Sequence, residues 1–360
     1  MTISPPFESP SRAARAIAAW LWAVAAMIFL MVVIGGMTRL TESGLSIVEW
    51  QPFTGWIPPL NQADWLALFE KYKATPQFLA VNATMSLDGF KGIFWLEYIH
   101  RVWGRLIGLA FFVPFLVFLL RGWVRGRLLR RLLFIFALGG LQGAVGWFMV
   151  ASGLNHRPSV SQYRLAIHLD LALIILGFVV WTALDLTRRT GARAGAADQS
   201  FGRKRLVAVL ALLSVTITIG AFVAGLRAGK IFNTFPLMGD SWLPPEAFRL
   251  TPLIVNFFED PTTVQFSHRV LAVVTLVAVW AAMLASLGKR WPREVVAPLH
   301  AAAIAALVQF VLGVATLLTF VPVWLGTLHQ AGAVVLLTAL VFALHGTYRN
   351  RSPIAPAIPA

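Results

Sequence analysis

Residues 16–38, AIAAWLWAVAAMIFLMVVIGGMT, run for 23 positions between Arg15 and Arg39 without a charge. A hydrocarbon core about 30 Å thick is crossed by about 20 helical residues, so this stretch is long enough to span a membrane as a helix. A second uncharged stretch, of 21 residues, separates Arg205 from Arg227. The competing reading of the first is a cleaved signal peptide, because Arg12 and Arg15 precede an apolar run containing small residues. The run is long for that, since an h-region holds about 7–15 residues. Further apolar runs at about 98–120, 132–153, 164–184, 268–288, 297–320 and 327–346 bring the expected spans to eight. Composition agrees: of 360 residues 58% are hydrophobic and 12% charged, with a mean hydropathy of +0.74. An ordinary soluble domain is excluded, and the expected fold class is an all-α integral membrane protein with eight transmembrane helices.

The formal net charge of +15 would point to nucleic acid in a soluble protein, but in a membrane protein it first reports topology. Positive residues are retained on the cytoplasmic side of short loops. With the N-terminus inside, more than half of the 30 lysines and arginines fall in the N-terminal segment, the loops at 121–131, 185–205 and 289–294, and the C-terminal tail. The long loops at about 40–97 and 227–267 then lie outside with most of the acidic residues. Both termini are expected in the cytoplasm of a bacterial inner membrane, with the lipid bilayer as solvent and no nucleic-acid partner. Cysteine is absent, which removes disulfides, thiolate metal sites and a cysteine nucleophile and leaves histidine, carboxylate and methionine as candidate ligands.

The chain repeats itself. Ile34-Gly35, Gly44 and Trp56-Ile57-Pro58-Pro59 recur as Ile219-Gly220, Gly229 and Trp242-Leu243-Pro244-Pro245. Further on, His100-Arg101-Val102 recurs as His268-Arg269-Val270, Gln142 and Gly146 as Gln309 and Gly313, and His168 as His329. Each half is a four-helix unit, and because an even number of helices separates equivalent positions the two halves should be tandem bundles related by an axis along the membrane normal. The expected organisation is a cytoplasmic segment 1–16, an N-terminal half 17–190, a cytoplasmic linker 191–204, a C-terminal half 205–348 and a cytoplasmic tail 349–360.

Each even-numbered span carries one histidine near its outer end: His100, His168, His268 and His329. A charged side chain within a membrane costs about 2.5–3.5 kcal/mol on insertion scales, so four recurring imidazoles need a purpose. Two imidazoles facing each other across a four-helix bundle suit the axial ligation of a haem iron. Interhelical hydrogen bonding, zinc and a proton path are the alternatives; zinc wants three or four ligands, which two histidines per half do not supply. Arg101, Arg105 and Arg269 lie where they could meet carboxylates at the outer surface or snorkel to headgroups. His156, in an outer loop, and His300 and His345, near inner helix ends, have no repeat partners and read as surface or capping residues.

The halves differ where chemistry should be sought. Glu97 stands one turn before His100, whereas Gln265 holds that place before His268. A carboxylate can accept or deliver protons and an amide cannot, although an acid near a helix N-terminus also stabilises the dipole. Asp170, two residues past His168, matches Ala331 and reads as a salt bridge to a neighbouring helix.

Ile34-Gly35-Gly36-Met37-Thr38-Arg39-Leu40-Thr41, Ser43-Gly44-Leu45-Ser46 and Glu97-Tyr98-Ile99-His100-Arg101 resemble the haem A synthase family, with the likeness running from about residue 17 to 348. The resemblance implies a membrane oxidoreductase that converts haem O to haem A by successive hydroxylations of the C8 methyl. It implies a haem b cofactor on His268 and His329, with Arg269 beside it, and the haem O substrate at His100 and His168 with Arg101 and Arg105, Glu97 being required for turnover. It further implies haem O synthase, terminal oxidase assembly factors and an electron donor or acceptor as partners. Many members carry a cysteine pair in the first outer loop; this chain matches the cysteine-free branch. A dihaem electron carrier would use the same histidines without needing Glu97, and a two-repeat transporter would use them as a proton path.

Overall fold

The computed structural model describes residues 11–51, 54–156, 159–187, 196–287 and 291–348; residues 1–10 of the expected N-terminal segment, 191–195 of the linker and the tail 349–360 lie outside these. The helices are α1 (Arg12–Leu40), α2 (Gln62–Lys73), α3 (Pro76–Val81), α4 (Leu87–Leu120), α5 (Gly126–His156), α6 (Gln162–Thr187), α7 (Ala196–Gly225), α8 (Asn256–Glu259), α9 (Pro261–Leu284), α10 (Arg293–Leu318) and α11 (Val323–Gly346). Among the described residues eight of these, α1, α4, α5, α6, α7, α9, α10 and α11, are long and apolar enough to cross a membrane. The protein is an all-helical, multi-pass membrane protein.

Several helices start earlier than the apolar runs suggest, and the reason is local. Ser86 caps α4 by accepting from the Gly89 N–H at 3.2 Å, so the helix begins eleven residues before 98 and absorbs Asp88 and Lys91. These extra turns pack on something: Phe90 and Phe94 join Trp65, Phe69 and Tyr72 of α2 and Phe78 of α3 in a separate aromatic core. Asp260 caps α9 through the N–H groups of Thr262 and Thr263, with Pro261 at the first helical position where its missing N–H is harmless. α7 begins at Ala196, inside the expected linker, and α5 runs through His156, which therefore ends a helix instead of lying in a loop.

In the first half α1 packs on α4, α4 on α5, α5 on α6, and α6 returns to α1; in the second, α7, α9, α10 and α11 close the same ring. The halves meet through α1 with α11 and α6 with α7, two contacts that exchange if the halves are exchanged, and through α6 with α11. Ile17, Leu21, Val179, Leu299 and Leu340, all in one continuous cluster, fill this junction and the bundles beside it. Polar clamps close both ends of the junction. At the end bearing the long loops, Arg227 pairs with Glu42 at 2.6 Å, two residues whose separation of 185 is the repeat offset itself. Arg39 donates there to the carbonyl of Ala224 at 2.7 Å. At the short-loop end Asp185 of α6 accepts from Arg131 of α5 and, at 2.7 Å, from Nε2 of His345 of α11. His345 is thus a buried tie between the halves, not a surface cap, and Trp181 covers its ring.

Candidate haem-ligand site

Each of the four repeated histidines lies against a glycine of the neighbouring helix. A Cβ on Gly35 of α1 would sit 3.4 Å from Cε1 of His100, and on Gly146 of α5 3.0 Å from Cε1 of His168. The corresponding distances are 2.9 Å for Gly220 of α7 with His268 and 2.8 Å for Gly313 of α10 with His329. Since real Cβ contacts essentially never fall below 3.0 Å, the last two places require glycine as they stand. Gln142 and Gln309 complete the pattern, donating through Nε2 to the backbone carbonyls of His168 at 3.0 Å and His329 at 2.8 Å. The repeated Gly and Gln positions in the sequence are therefore the seats of the histidines.

In the second half the rings of His268 and His329 lie with centroids 6.5 Å apart. A metal–nitrogen bond of about 2.0–2.1 Å on each side places two imidazole centres a little over 6 Å apart, a separation that matches this one. Nδ1 of His268 is buried without a partner, a polar atom in want of a bond. His100 and His168 lie within electrostatic reach of one another. Among the described residues no three histidines or carboxylates converge, which argues against zinc and leaves two-ligand chemistry. The donor set fits a bis-histidine haem.

Beside His100 the geometry of Glu97 departs from that of a free acid–base group. Its Oε2 accepts from Ser46 Oγ at 2.7 Å and from the Ile47 N–H at 2.8 Å; its Oε1 accepts from Arg101 Nε at 3.0 Å and Nη2 at 2.6 Å. Both oxygens of this buried carboxylate are occupied twice. Arg101 also donates to the carbonyls of Ile47 and Glu49 at 2.7 and 2.8 Å. In the second half Gln265 instead donates to the Phe232 carbonyl at 3.0 Å, and Arg269 donates to the carbonyls of Phe232 and Thr234 at 2.9 and 2.8 Å. Each arginine thus pins residues one and three of the same loop turn, 185 positions apart. Arg105 does likewise at Gln51 and Gly55.

These bonds correct several expectations. Arg101, Arg105 and Arg269 point to loop backbone, so a carboxylate arriving there would compete with carbonyls already bound; only Nε of Arg269 is buried without a partner. Among the described residues Asp170 forms no salt bridge: it accepts from the neutral Thr218 hydroxyl of α7 at 2.8 Å. His300 bonds the Val296 carbonyl of its own helix at 2.8 Å. Ser46 and Ile47 were not singled out from the sequence, although Ser46 closes the first quoted motif.

The fold and site define a multi-pass helical membrane protein built of two similar four-helix rings, each carrying two of the recurring histidines. Residues 18–341 match the family described as cytochrome oxidase assembly protein, and the chain belongs to that family. It is 49% identical over 345 residues to a protein of Paramagnetospirillum magneticum named Heme A synthase, covering 93% of this chain and 95% of that one. Proteins of the same name from Parvibaculum lavamentivorans and a Bradyrhizobium species are 48% and 50% identical, over 92% of this chain and 94% and 91% of theirs.

Proposed function

We propose that this protein converts haem O to haem A, oxidising the C8 methyl through two hydroxylations and loss of water from the resulting diol. The observation that carries the reading is the duplicated histidine seat: two pairs of ligands, each backed by glycine and glutamine, with a buried ion pair, Glu97–Arg101, added to only one of them. His268 and His329 hold haem b, which supplies redox chemistry that no protein side chain possesses. His100 and His168 hold the substrate. Glu97 serves that half by fixing the loop at 46–49 and the Arg101 guanidinium that grips it, and so acts as a positioning residue. Gly35, Gly146, Gly220 and Gly313 let each ring approach a neighbouring backbone and fix its direction. The halves are related by rotation about the membrane normal, which the Glu42–Arg227 pair and the exchangeable helix contacts support. The long loops face the periplasm and both termini the cytoplasm, in keeping with the arginines of the short loops. Haem O synthase, oxidase assembly factors and an electron carrier are the partners this role requires.

Pigment extracted from the purified protein, separated by chromatography and assigned by pyridine haemochrome spectra, tests the reading. Haem b together with haem O or A is the expected result. Haem b alone at two per chain would assign the protein to electron transfer instead.

A further inference from the structure

The two halves differ at one more place, the mouth of the histidine site on the long-loop side. The arginine bonds set the register: Arg101 grips Ile47 and Glu49, and Arg269 grips Phe232 and Thr234. The residues that follow, Trp50 and Phe235, are therefore equivalent. On the third helix of each half Gln142 matches Gln309, so the next positions, Gly143 and Phe310, are equivalent too. In the second half Phe235 and Phe310 touch edge to face with centroids 5.9 Å apart, bridging loop and helix. In the first half no such bridge can form, because Gly143 has no side chain and a Cβ there would meet nothing within 4 Å.

Beside Trp50 in the first half lies a half-open cavity of about 340 Å³, lined by Trp50 and Lys71 of the cap, Arg101 of α4, and Trp147, Val150 and Ala151 of α5. It lies beside the site already described, for Arg101 holds Glu97 and Trp147 follows the glycine against which His168 rests. α4 and α5 also pack on each other far less than α9 and α10 do, and Trp147 and Phe148 are exposed. The lining is apolar and aromatic with two cations at its rim. An apolar, aromatic wall suits the face of a planar macrocycle, while both cations are already paired, Lys71 with Glu49 and Arg101 with Glu97.

We propose that haem enters and leaves the first half between Trp50 and α5, and that the Phe235–Phe310 contact closes the equivalent opening in the second half, making one haem exchangeable and the other resident. The inference rests on the assignment of a haem to each half. One residue pair per half, Trp50 with Gly143 against Phe235 with Phe310, then decides which haem is substrate and which is cofactor.

Haem transfer from the purified full-length protein to excess apomyoglobin tests it. Phe310→Ala should keep the starting haem b spectrum and release that haem on the order of tenfold faster than the parent, the scale set by loss of one aromatic contact. Phe310→Leu should fall between. Gly143→Phe should retain haem b unchanged, which also reports that it folds, yet take up added haem O much more slowly. Release from both Phe310 variants at the parental rate, or haem O uptake by Gly143→Phe at the parental rate, would overturn the proposal. Failure of the underlying assignment looks different: His268→Ala would then keep its haem b spectrum, whatever the release rates.

Discussion

Replacing Glu97 by glutamine changes one atom and almost no volume, and from the sequence alone it looks like a mild change that makes the first half resemble the second. The bonding says otherwise. Four donors meet the carboxylate: the Ser46 hydroxyl, the Ile47 N–H, and two guanidinium N–H groups of Arg101. An amide offers one oxygen and one NH2 group, so in either orientation the NH2 faces two donors. The side chains of Glu97 and Arg101 are only 4% and 12% exposed, and removing one member of a buried pair costs about 3–5 kcal/mol. Arg101 keeps two carbonyl acceptors and the Trp50 ring at 5.5 Å, which favours the lower end. A loss of about 3 kcal/mol localised in the loop corresponds to roughly a hundredfold more frequent opening. Hydrogen exchange at the Ile47 amide reads this directly, because that N–H is bonded to the mutated group. The expected result is exchange faster by about two orders of magnitude around Ile47, a large fall in haem A formed, and haem b at His268 and His329 unchanged. If haem A formation falls by the 10²–10⁴-fold typical of a lost acid–base group while Ile47 stays protected, the positioning role is wrong and Glu97 transfers protons.

Replacing His268 or His329 by alanine should strip haem b from the purified protein, checked by its absorption spectrum; a full low-spin spectrum in either variant would contradict the axial pair. Gly313→Ala and Gly220→Ala, whose new Cβ atoms would lie 2.8 and 2.9 Å from histidine carbons, should displace the ligands and cost about 1–3 kcal/mol, visible as an altered haem b spectrum and lower melting temperature. Gly35→Ala, at 3.4 Å, should be nearly silent. Single cysteines introduced into this cysteine-free chain should react with a membrane-impermeant maleimide in intact cells at 40–97 and 227–267 and not at 121–131 or 185–205. Lys71, bonded to Glu49, holds that exposed carboxyl below its usual value of 4.5. Their contact is therefore complete through the neutral range and lost only as pH falls below that value, so exchange protection of α2 should not change with pH near neutrality.

The spans and the recurring histidines were legible in the sequence because both rest on one-dimensional signals. Charge-free runs of bilayer length mark the helices, and a histidine that recurs in both halves marks a shared task. What was not legible depends on three-dimensional register. The outer turns of α4 carry Asp88 and Lys91 and read as loop until Trp65, Phe69 and Tyr72 arrive from α2 to cover Phe90 and Phe94. His345 has no repeat partner and lies at a helix end, so nothing in the sequence placed it on Asp185, 160 positions away. Gly146 and Gly313 were visible as a repeat but not as histidine seats, since a glycine gives no sign of which neighbour it admits.

Glu97 shows most clearly how the two kinds of information divide. Its contrast with Gln265 marks a place where the bonding of the halves differs, but the type of residue could not say which lone pairs remain free. Saturation of both oxygens moves the reading from proton transfer to the ordering of one loop turn, and the same turn carries Trp50 in one half and Phe235 in the other. A single substituted acid and a single missing phenyl ring, at Gly143, thus bear on the same mouth. On the reading proposed above, two copies of one bundle would hold two haems on different terms without any change in the histidines themselves.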